Sequence, residues 1–401
     1  MSADSIRSTS EFLEATTGSS VGSRSMRWRT LRTGVGAISL ATFVALPIAP
    51  SALATPDAGS SGSASGSLAS GSGGASSDGG SVSSGSTIPG PLQNEHPPLP
   101  ALRDDITTAA IVGEERKSEQ LVRFTVASAA LRRNVGVEVA LPRDNSVPRP
   151  SIYALEGVDA GEDTSGWVTN GGVPKFFADK NVNVVMINGG VSGIYTDWDR
   201  IDPGVGLHKW ETFITRELPP LLDARLKTNG VKALMGASMG AQGAMMLATR
   251  HPEMYRGIAV FSGCYSTTDD LGRLSVLATV SSRGGDPANV WGDFAGPGWA
   301  AHDSPRNAEA LRGKDIYVSV ASGLPGRYDT PDLPDYNDRV FVGGSIEAAA
   351  NACTRRLQSR LQDLKIPATF DFEPRGTHAW IYWENQLPKA WPTLARSLGL
   401  A

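Results

Sequence analysis

Residues 231–244 read VKALMGASMGAQGA, a short apolar run followed by Gly-Ala-Ser-Met-Gly and then by small residues typical of a closely packed helix. This order predicts a strand, a sharp turn with Ser238 at its tip, and a helix that begins at Met239. Gly236 and Gly240 leave room where a side chain would meet the neighbouring strand. The helix N-terminus and the Met239 N–H would face negative charge developing beside the serine. Ser238 is therefore the candidate nucleophile, and a purely structural Gly–Ser turn is the alternative.

The surrounding sequence alternates between short apolar runs and helix-like stretches, as in a mainly parallel sheet covered on both faces. Two early segments, 121–128 and 135–141, alternate apolar and polar residues and predict half-buried antiparallel strands. Further strands are predicted at 151–155, 182–187, 231–235, 257–261, 316–320 and 368–372, and helices at 211–225, 239–250 and 346–364. With the serine turn, this order predicts an α/β-hydrolase fold that has N-terminal antiparallel strands and helices on both faces of the central sheet.

A serine hydroxyl becomes a nucleophile when a neighbouring base, most often histidine, removes its proton. His378 follows the predicted last strand, and a histidine after the serine matches the chain order of α/β-hydrolases. His251 lies at the far end of the serine-bearing helix and points away. The remaining histidines lie in a Pro-rich segment or in polar loops: His96, His208 and His302. We predict His378 as the base, the alternative being a loop histidine packed beside Trp380.

The third member of such a triad is a carboxylate that holds the imidazole tautomer and stabilises the imidazolium. Residues 321–347, after the strand at 316–320, offer five carboxylates, namely Asp329, Asp332, Asp335, Asp338 and Glu347. Position soon after the strand at 316–320 favours Asp329 or Asp332. Glu347 opens a predicted helix, where a carboxylate often only complements the helix dipole. From the residues alone, the identity of the acid stays open.

A second oxyanion donor is expected in a turn after an early strand. Residues 153–159 read YALEGVD, a strand end followed by a turn. Gly157 would let the Val158 N–H approach a substrate carbonyl. The alternative is an ordinary turn.

The N-terminal region contains the features of an export signal. Basic residues at 26–32 precede an apolar run at 35–49, and small residues follow it. We predict an N-terminal extension and signal peptide at 1–54, with the signal at 26–54 and cleavage near Ala54. A membrane-spanning helix is the alternative, but the run is shorter than the roughly 20 residues that a span requires.

A change of composition separates the export signal from the folded part. Residues 55–103 are rich in Ser, Gly and Pro and predict a disordered linker, because they hold few large apolar side chains to offset the entropy of ordering. The folded domain is expected at 104–401. The mature protein is expected to be secreted or held at the cell envelope, with no transmembrane span.

The charge balance and the two cysteines narrow the possible partners and compartment. The 401 residues include 37 Lys and Arg against 41 Asp and Glu, so no electrostatic feature suggests nucleic acid as a partner. Cys264 and Cys353 form an even pair, which predicts a disulfide in an exported chain, two separate buried thiols being the alternative. The predicted serine chemistry requires no metal and no organic cofactor.

Seven motifs stand in a fixed order along the chain: LEGV at 155–158, SGW at 165–167, YTDW at 195–198, KWETF at 209–213, GASMG at 236–240, VWG at 290–292 and GTHAW at 376–380. Their order resembles that of the secreted mycolyltransferases of mycolic-acid bacteria, the antigen 85 family, over residues 120–398. The WETF and THxW motifs are not shared by hydrolases at large. The segments around Cys264 and Cys353 are similar to the corynebacterial branch.

The resemblance implies a serine, glutamate and histidine triad with the glutamate early in the helix before the last strand. It assigns Ser238 as nucleophile, His378 as base and Glu347 as acid, and so favours Glu347 over the aspartates.

The resemblance also implies the residues that surround the triad. Val158 and Met239 fall on the two backbone oxyanion donors, and Glu156 and Trp380 fall beside the sugar site. Glu156 stands where many members carry Asp, and Asp159 where the mycobacterial enzymes carry Arg. An Arg fork and a carboxylate cannot make the same hydrogen bonds to sugar hydroxyls.

The function implied is trehalose O-mycolyltransferase activity. A monomeric enzyme would move a mycoloyl group from trehalose monomycolate, through an acyl-Ser238 intermediate, to a second sugar hydroxyl on trehalose monomycolate or on cell-wall arabinan. One rival is a secreted carboxylesterase that uses the same triad. The other is a non-catalytic module that binds glycolipid or matrix proteins.

Overall fold

A mixed sheet organises residues 99–400, the part of the chain that the computed structural model describes. Its strands are β1 (Ala110–Ser118), β2 (Leu121–Ser128), β3 (Arg133–Ala140), β4 (Ser151–Leu155), β5 (Asn183–Ile187), β6 (Lys232–Ala237), β7 (Gly257–Phe261), β8 (Asp315–Val320) and β9 (Thr369–Phe372). The predicted signal at 1–54 and nearly all of the predicted linker at 55–103 lie outside the described residues. Between residues 99 and 400, no helix combines the length and apolar character needed to cross a membrane.

The strands run antiparallel in one part of the sheet and parallel in the rest. Their order is β1-β2-β3-β5-β4-β6-β7-β8-β9. The pairs β1/β2, β2/β3 and β3/β5 are antiparallel, whereas every pair from β5 to β9 is parallel. The predicted mainly parallel sheet with N-terminal antiparallel strands is confirmed. The carboxyl ends of the parallel strands meet at one edge, where loops from distant parts of the chain can converge.

Strand β1 is the strand that the sequence patterns do not predict. It holds the charged run EERK at 114–117 and lies at the edge of the sheet, so most of its side chains are exposed and show no alternation. Charges on an edge strand hinder pairing with other chains. The other strands begin and end within two residues of their predicted bounds.

The helices are α1 (Gly166–Thr169), α2 (Val173–Phe177), α3 (Trp210–Thr212), α4 (Leu218–Leu226), α5 (Met239–Arg250), α6 (Asp270–Ser281), α7 (Ala288–Trp291), α8 (Pro297–Ala301), α9 (Gly344–Asp363) and α10 (Trp380–Ser397). The predicted helix at 239–250 is α5, and the one at 346–364 is α9 with a start two residues earlier. The predicted helix at 211–225 is α3, a π-helical turn (Phe213–Glu217) and α4. Pro219 and Pro220 lack the N–H groups that would continue ordinary helical hydrogen bonds back into this turn.

Two apolar clusters form the core on the two faces of the sheet. Successive residues of β6 point to opposite faces, so Leu234 joins one cluster while Ala233 and Met235 join the other. The first cluster includes α5 and Leu357 of α9, and the second includes Leu387 of α10. Because both faces of the central strands are buried, helices must cover both faces of the sheet, and the predicted two-sided helical cover is confirmed.

A disulfide joins Cys264, in the segment after β7, to Cys353 in α9. The predicted pairing is confirmed. The two cysteines are 89 residues apart in sequence, so the bond closes a long loop and restricts the unfolded chain. It also attaches the helix that carries Glu347 to the edge of the sheet.

We predict that replacing both cysteines by alanine lowers the free energy of unfolding by about 2–5 kcal/mol, because the unfolded chain regains loop entropy. Denaturant unfolding of the variant and of the wild type, each with and without reductant, measures the difference. Reductant should destabilise the wild type and leave the double variant unchanged. Equal stability of both proteins without reductant would contradict the prediction.

Candidate active site

A strained turn joins β6 to α5 and exposes Ser238 at its tip. Ser238 has φ 56° and ψ −121°, a conformation that side-chain-bearing residues rarely adopt. A Cβ on Gly236 would collide with the Gly240 carbonyl oxygen, and a Cβ on Gly240 would collide with the Leu155 carbonyl oxygen. Backbone therefore meets backbone at both glycines. The predicted close approach to a neighbouring strand is confirmed for Gly240, whereas Gly236 packs against the start of α5.

Three side chains from distant segments form a hydrogen-bonded line at this edge of the sheet. The Ser238 hydroxyl lies 2.7 Å from His378 Nε2, and His378 Nδ1 lies 2.7 Å from Glu347 Oε2. His378 lies between β9 and α10, and Glu347 lies in the first turn of α9. Because the carboxylate can only accept, Nδ1 carries the proton and Nε2 is free to accept from the serine.

The second oxygen of Glu347 is held by two donors. Oε1 accepts from the Ser262 hydroxyl at 2.8 Å and from the Ala321 N–H at 2.6 Å. The Trp383 indole N–H donates in turn to Ser262 at 3.0 Å. These neutral donors stabilise a carboxylate that is only 1% exposed. They also fix its orientation toward His378.

Ser262 is a residue that the sequence reasoning missed. It follows β7 in the sequence Phe261-Ser262-Gly263 and has φ 57°, so a second strained serine turn stands beside the first. A buried strand ending in Ser-Gly was the signal that could have identified it.

Asp329 and Asp332, the aspartates that position after the strand favours, do not bond to the imidazole of His378 in the described part of the chain. Asp332, Asp335 and Asp338 are exposed, and in the described part of the chain none of them bonds to His378. Asp329 is buried, but its carboxylate bonds to neighbours of His378 and not to the imidazole. The connection after β8 extends far enough to bring the start of α9 to the imidazole, so the later carboxylate reaches it.

The other described histidines lie away from the triad. His251 and His302 flank the buried carboxylate of Glu211. His208 accepts from the Trp210 indole at 3.0 Å, and burial lowers its pKa to about 4. His96 lies outside the described residues. Among residues 99–400, no cluster of His, Cys, Asp and Glu side chains is arranged to hold a metal ion.

The two predicted oxyanion donors flank the nucleophile. Met239 is the first residue of α5, and Val158 lies in the turn after β4. Within residues 99–400, neither N–H has a hydrogen-bond partner. A Cβ on Gly157 would lie 3.7 Å from the Ser238 Cβ, so the turn passes directly beside the serine. The Val158 carbonyl accepts from the Ser192 N–H at 3.1 Å, which anchors the turn from behind.

Glu156 and Trp380 approach each other across Gly166. Glu156 is 3% exposed, and its Oε2 accepts from the Gly166 N–H at 2.8 Å while its Oε1 has no partner in the described chain. Burial raises the pKa of Glu156 to about 7. Trp380 begins α10 and packs edge-to-face on Trp167, with ring centroids 5.1 Å apart. The predicted sugar contacts of both residues stay predictions.

Asp159 forms an ion pair at the rim of the site. Its side chain is 73% exposed and accepts from Arg283, which follows α6, at 2.6 Å from Nε. Asp159 therefore holds the guanidinium of Arg283, which comes from a distant part of the chain, beside the turn that contains Val158.

Comparison with known proteins assigns the family. Residues 128–394 match the family described as "Putative esterase". The "Diacylglycerol acyltransferase/mycolyltransferase Ag85A" of Mycobacterium tuberculosis is 31% identical over 289 residues, which cover 68% of this chain and 80% of Ag85A. The chain belongs to the Ag85 mycolyltransferase family. Ag85B of Mycobacterium intracellulare is 30% identical over 285 residues, covering 68% of this family member and 82% of Ag85B.

A solved structure extends the similarity to the fold. MPT51 (FbpC1) of Mycobacterium tuberculosis matches with a TM-score of 0.58 and 24% identity, over 68% of this Ag85 family member and 97% of MPT51. The predicted resemblance to the antigen 85 family and the predicted α/β-hydrolase fold are confirmed.

The raised pKa of Glu156 gives this Ag85 family member a specific pH dependence of stability. The pKa in the folded chain is about 7 against an ordinary 4.5, so ionisation destabilises the fold. The contribution of Glu156 to the free energy of unfolding is fully present below its ordinary pKa of 4.5 and is lost as the pH rises through 7. We predict that Glu156→Gln gains about 2–4 kcal/mol relative to the wild type between about pH 4 and pH 8. Denaturant unfolding at both pH values measures this, with the exposed Glu119→Gln as control. An equal pH dependence in wild type and Glu156→Gln would contradict it.

Proposed function

We propose that the chain is an acyltransferase that works through an acyl-Ser238 intermediate. The observation that carries the proposal is the line of two 2.7 Å hydrogen bonds from Ser238 through His378 to Glu347. A hydroxyl, an imidazole with a free Nε2 and a buried carboxylate are the groups that acyl transfer through serine requires. In this proposal, Ser238 is the nucleophile, His378 the base and Glu347 the acid.

The first half-reaction forms the acyl-enzyme. His378 Nε2 takes the Ser238 proton as the serine oxygen attacks the ester carbonyl of the donor. The N–H groups of Val158 and Met239 donate to the oxyanion, supported by the positive end of α5. Glu347 stabilises the imidazolium, which then gives its proton to the sugar oxygen as the ester C–O bond breaks, so that the sugar leaves as an alcohol.

The second half-reaction transfers the acyl group to an acceptor. His378 removes a proton from an acceptor hydroxyl as its oxygen attacks the acyl-Ser238 carbonyl, and the imidazolium then returns that proton to the Ser238 oxygen as the acyl–serine bond breaks. Transfer competes with hydrolysis, so the acceptor must be held in place while water is kept from the ester. Glu156 and Trp380 are the proposed sugar contacts at this position.

The proposed donor is trehalose monomycolate, and the proposed acceptors are a second trehalose monomycolate and cell-wall arabinan. The relatives support the acyl group, since their names state diacylglycerol acyltransferase and mycolyltransferase activities. The activity would be that of a trehalose O-mycolyltransferase, acting as a monomer. The domain at 104–401 would carry this activity. The signal at 26–54 would direct its export, and the linker at 55–103 would tether the domain to the cell envelope.

A carboxylesterase with the same triad is the second candidate, and the description of the matched family gives it weak support. Both reactions share the acyl-enzyme and differ only in the group that attacks it. The discriminating quantity is therefore the partition of the acyl group between a sugar hydroxyl and water.

We predict that the purified protein, given trehalose monomycolate, forms trehalose dimycolate in excess over free mycolic acid, and that Ser238→Ala forms neither. The serine variant loses the attacking oxygen but keeps the fold. Chromatography of the products measures the partition, and Ser282→Ala, an exposed serine replacement, serves as control. Mostly free acid with no dimycolate would overturn the transferase proposal and support the esterase. A folded protein without either product would support a binding module.

A further inference from the structure

A buried carboxylate stands next to the triad without belonging to it. Asp329 lies in the connection between β8 and α9 and is 6% exposed. No ion pair joins it to Lys, Arg or His in the described part of the chain. Neutral donors alone therefore stabilise this carboxylate, which otherwise would be costly to bury.

The donors to Asp329 come from both sides of the proposed base. Oδ1 accepts from the Thr377 hydroxyl at 2.9 Å, and Oδ2 accepts from the Tyr382 hydroxyl at 2.6 Å. Thr377 is the residue immediately before His378, and Tyr382 lies in the first turn of α10. Oδ2 also accepts from the Gly326 N–H at 2.8 Å, which ties the carboxylate to its own loop. The Asp329 carboxylate is thus hydrogen-bonded to one residue before His378 and to one residue after it.

The backbone around His378 is fixed by the same loop. The Gly376 N–H donates to the Leu324 carbonyl at 2.7 Å, and the Gly323 N–H donates to the Gly376 carbonyl at 2.9 Å. The His378 N–H donates to the Gly343 carbonyl at 3.2 Å. These backbone bonds fix the main chain around His378. The side chain of Asp329 connects Thr377, on one side of His378, to Tyr382, on the other.

We propose that Asp329 is a positioning residue that sets the place of His378 through Thr377 and Tyr382, so that Nε2 stays within hydrogen-bond reach of Ser238. The proposal rests on the proposed function, in which His378 is the base. Glu347 orients the imidazole ring through Nδ1, and Asp329 fixes the chain segment from which the ring projects. The two carboxylates therefore control different degrees of freedom of one residue.

A carboxylate accepts from all three donors at once. Asparagine has one acceptor oxygen, so its NH₂ group would have to donate to the Thr377 hydroxyl, which reverses that hydrogen bond and leaves all three bonds without the charge that strengthens them. A change of about 1 Å in the position of a catalytic group can lower the rate about 100-fold. Loss of the hydrogen bonds between Asp329 and its neighbours Thr377 and Tyr382 should therefore lower kcat more than it raises KM.

The test compares variants that cut each link separately. Rates are measured as labelling of Ser238 by a serine-directed phosphonate and as kcat and KM for a short-chain nitrophenyl ester. Asp329→Asn, Tyr382→Phe and Thr377→Val should each lower the labelling rate and kcat about 10-fold or more, with KM changed by less than about threefold. Thr377→Ser keeps the hydroxyl and should restore kcat to within about threefold of the wild type.

Matched controls separate positioning from loss of stability. Tyr328→Phe removes a phenol hydroxyl that bonds to Asn385 and not to Asp329, so it should keep the wild-type kcat. Asp332→Asn removes an exposed carboxylate of the same loop and should do the same. Melting temperatures are recorded for every variant, and rates are taken well below them.

The outcomes distinguish this inference from the proposed function. If the wild type is not labelled at Ser238, the proposed function fails. If the wild type is labelled and Tyr382→Phe and Asp329→Asn match it in kcat, the positioning role is overturned. A loss in Thr377→Ser as large as that in Thr377→Val would also overturn it, because the hydroxyl would then not be the group that matters.

Discussion

The hydrogen bond between Glu347 and His378 Nδ1 is the interaction on which the rest of the site depends. It fixes the tautomer that leaves Nε2 able to accept from Ser238. Ser238 is presented by a turn that exists only because Gly240 allows α5 to approach the Leu155 carbonyl. The two halves of the site are thus set independently, one by close backbone packing and the other by hydrogen bonds to a buried carboxylate.

The connection from β8 to the first turn of α9 contains Glu347, which bonds to His378, and Asp329, which we propose positions His378 through its neighbours. Glu347 is oriented by Ser262 and the Ala321 N–H, and Asp329 is oriented by its own loop. The disulfide attaches α9 to the segment that follows Ser262. Because of this covalent link, the position of Glu347 depends less on packing alone.

Sequence patterns predicted the parts of the site that local chemistry determines. The strand, the glycines and the helix around Ser238 are local features, and so is the loop position of His378. The carboxylate that bonds to His378 is not a local feature, because Glu347 opens a helix as a surface residue would, and only the resemblance selected it. Ser262 and Asp329 act through contacts between distant segments, which no periodicity reveals. Strand β1 was missed because an exposed edge strand need not alternate apolar and polar residues.

The most direct measurement of the central claim is the rate at which a phosphonate labels Ser238 in Glu347→Gln. The substitution keeps the size of the side chain and removes the charge that stabilises the imidazolium. The account predicts a fall of about 100-fold or more in the labelling rate, with the exposed Asp332→Asn unchanged. Labelling of Glu347→Gln at the wild-type rate, in a folded protein, would contradict it.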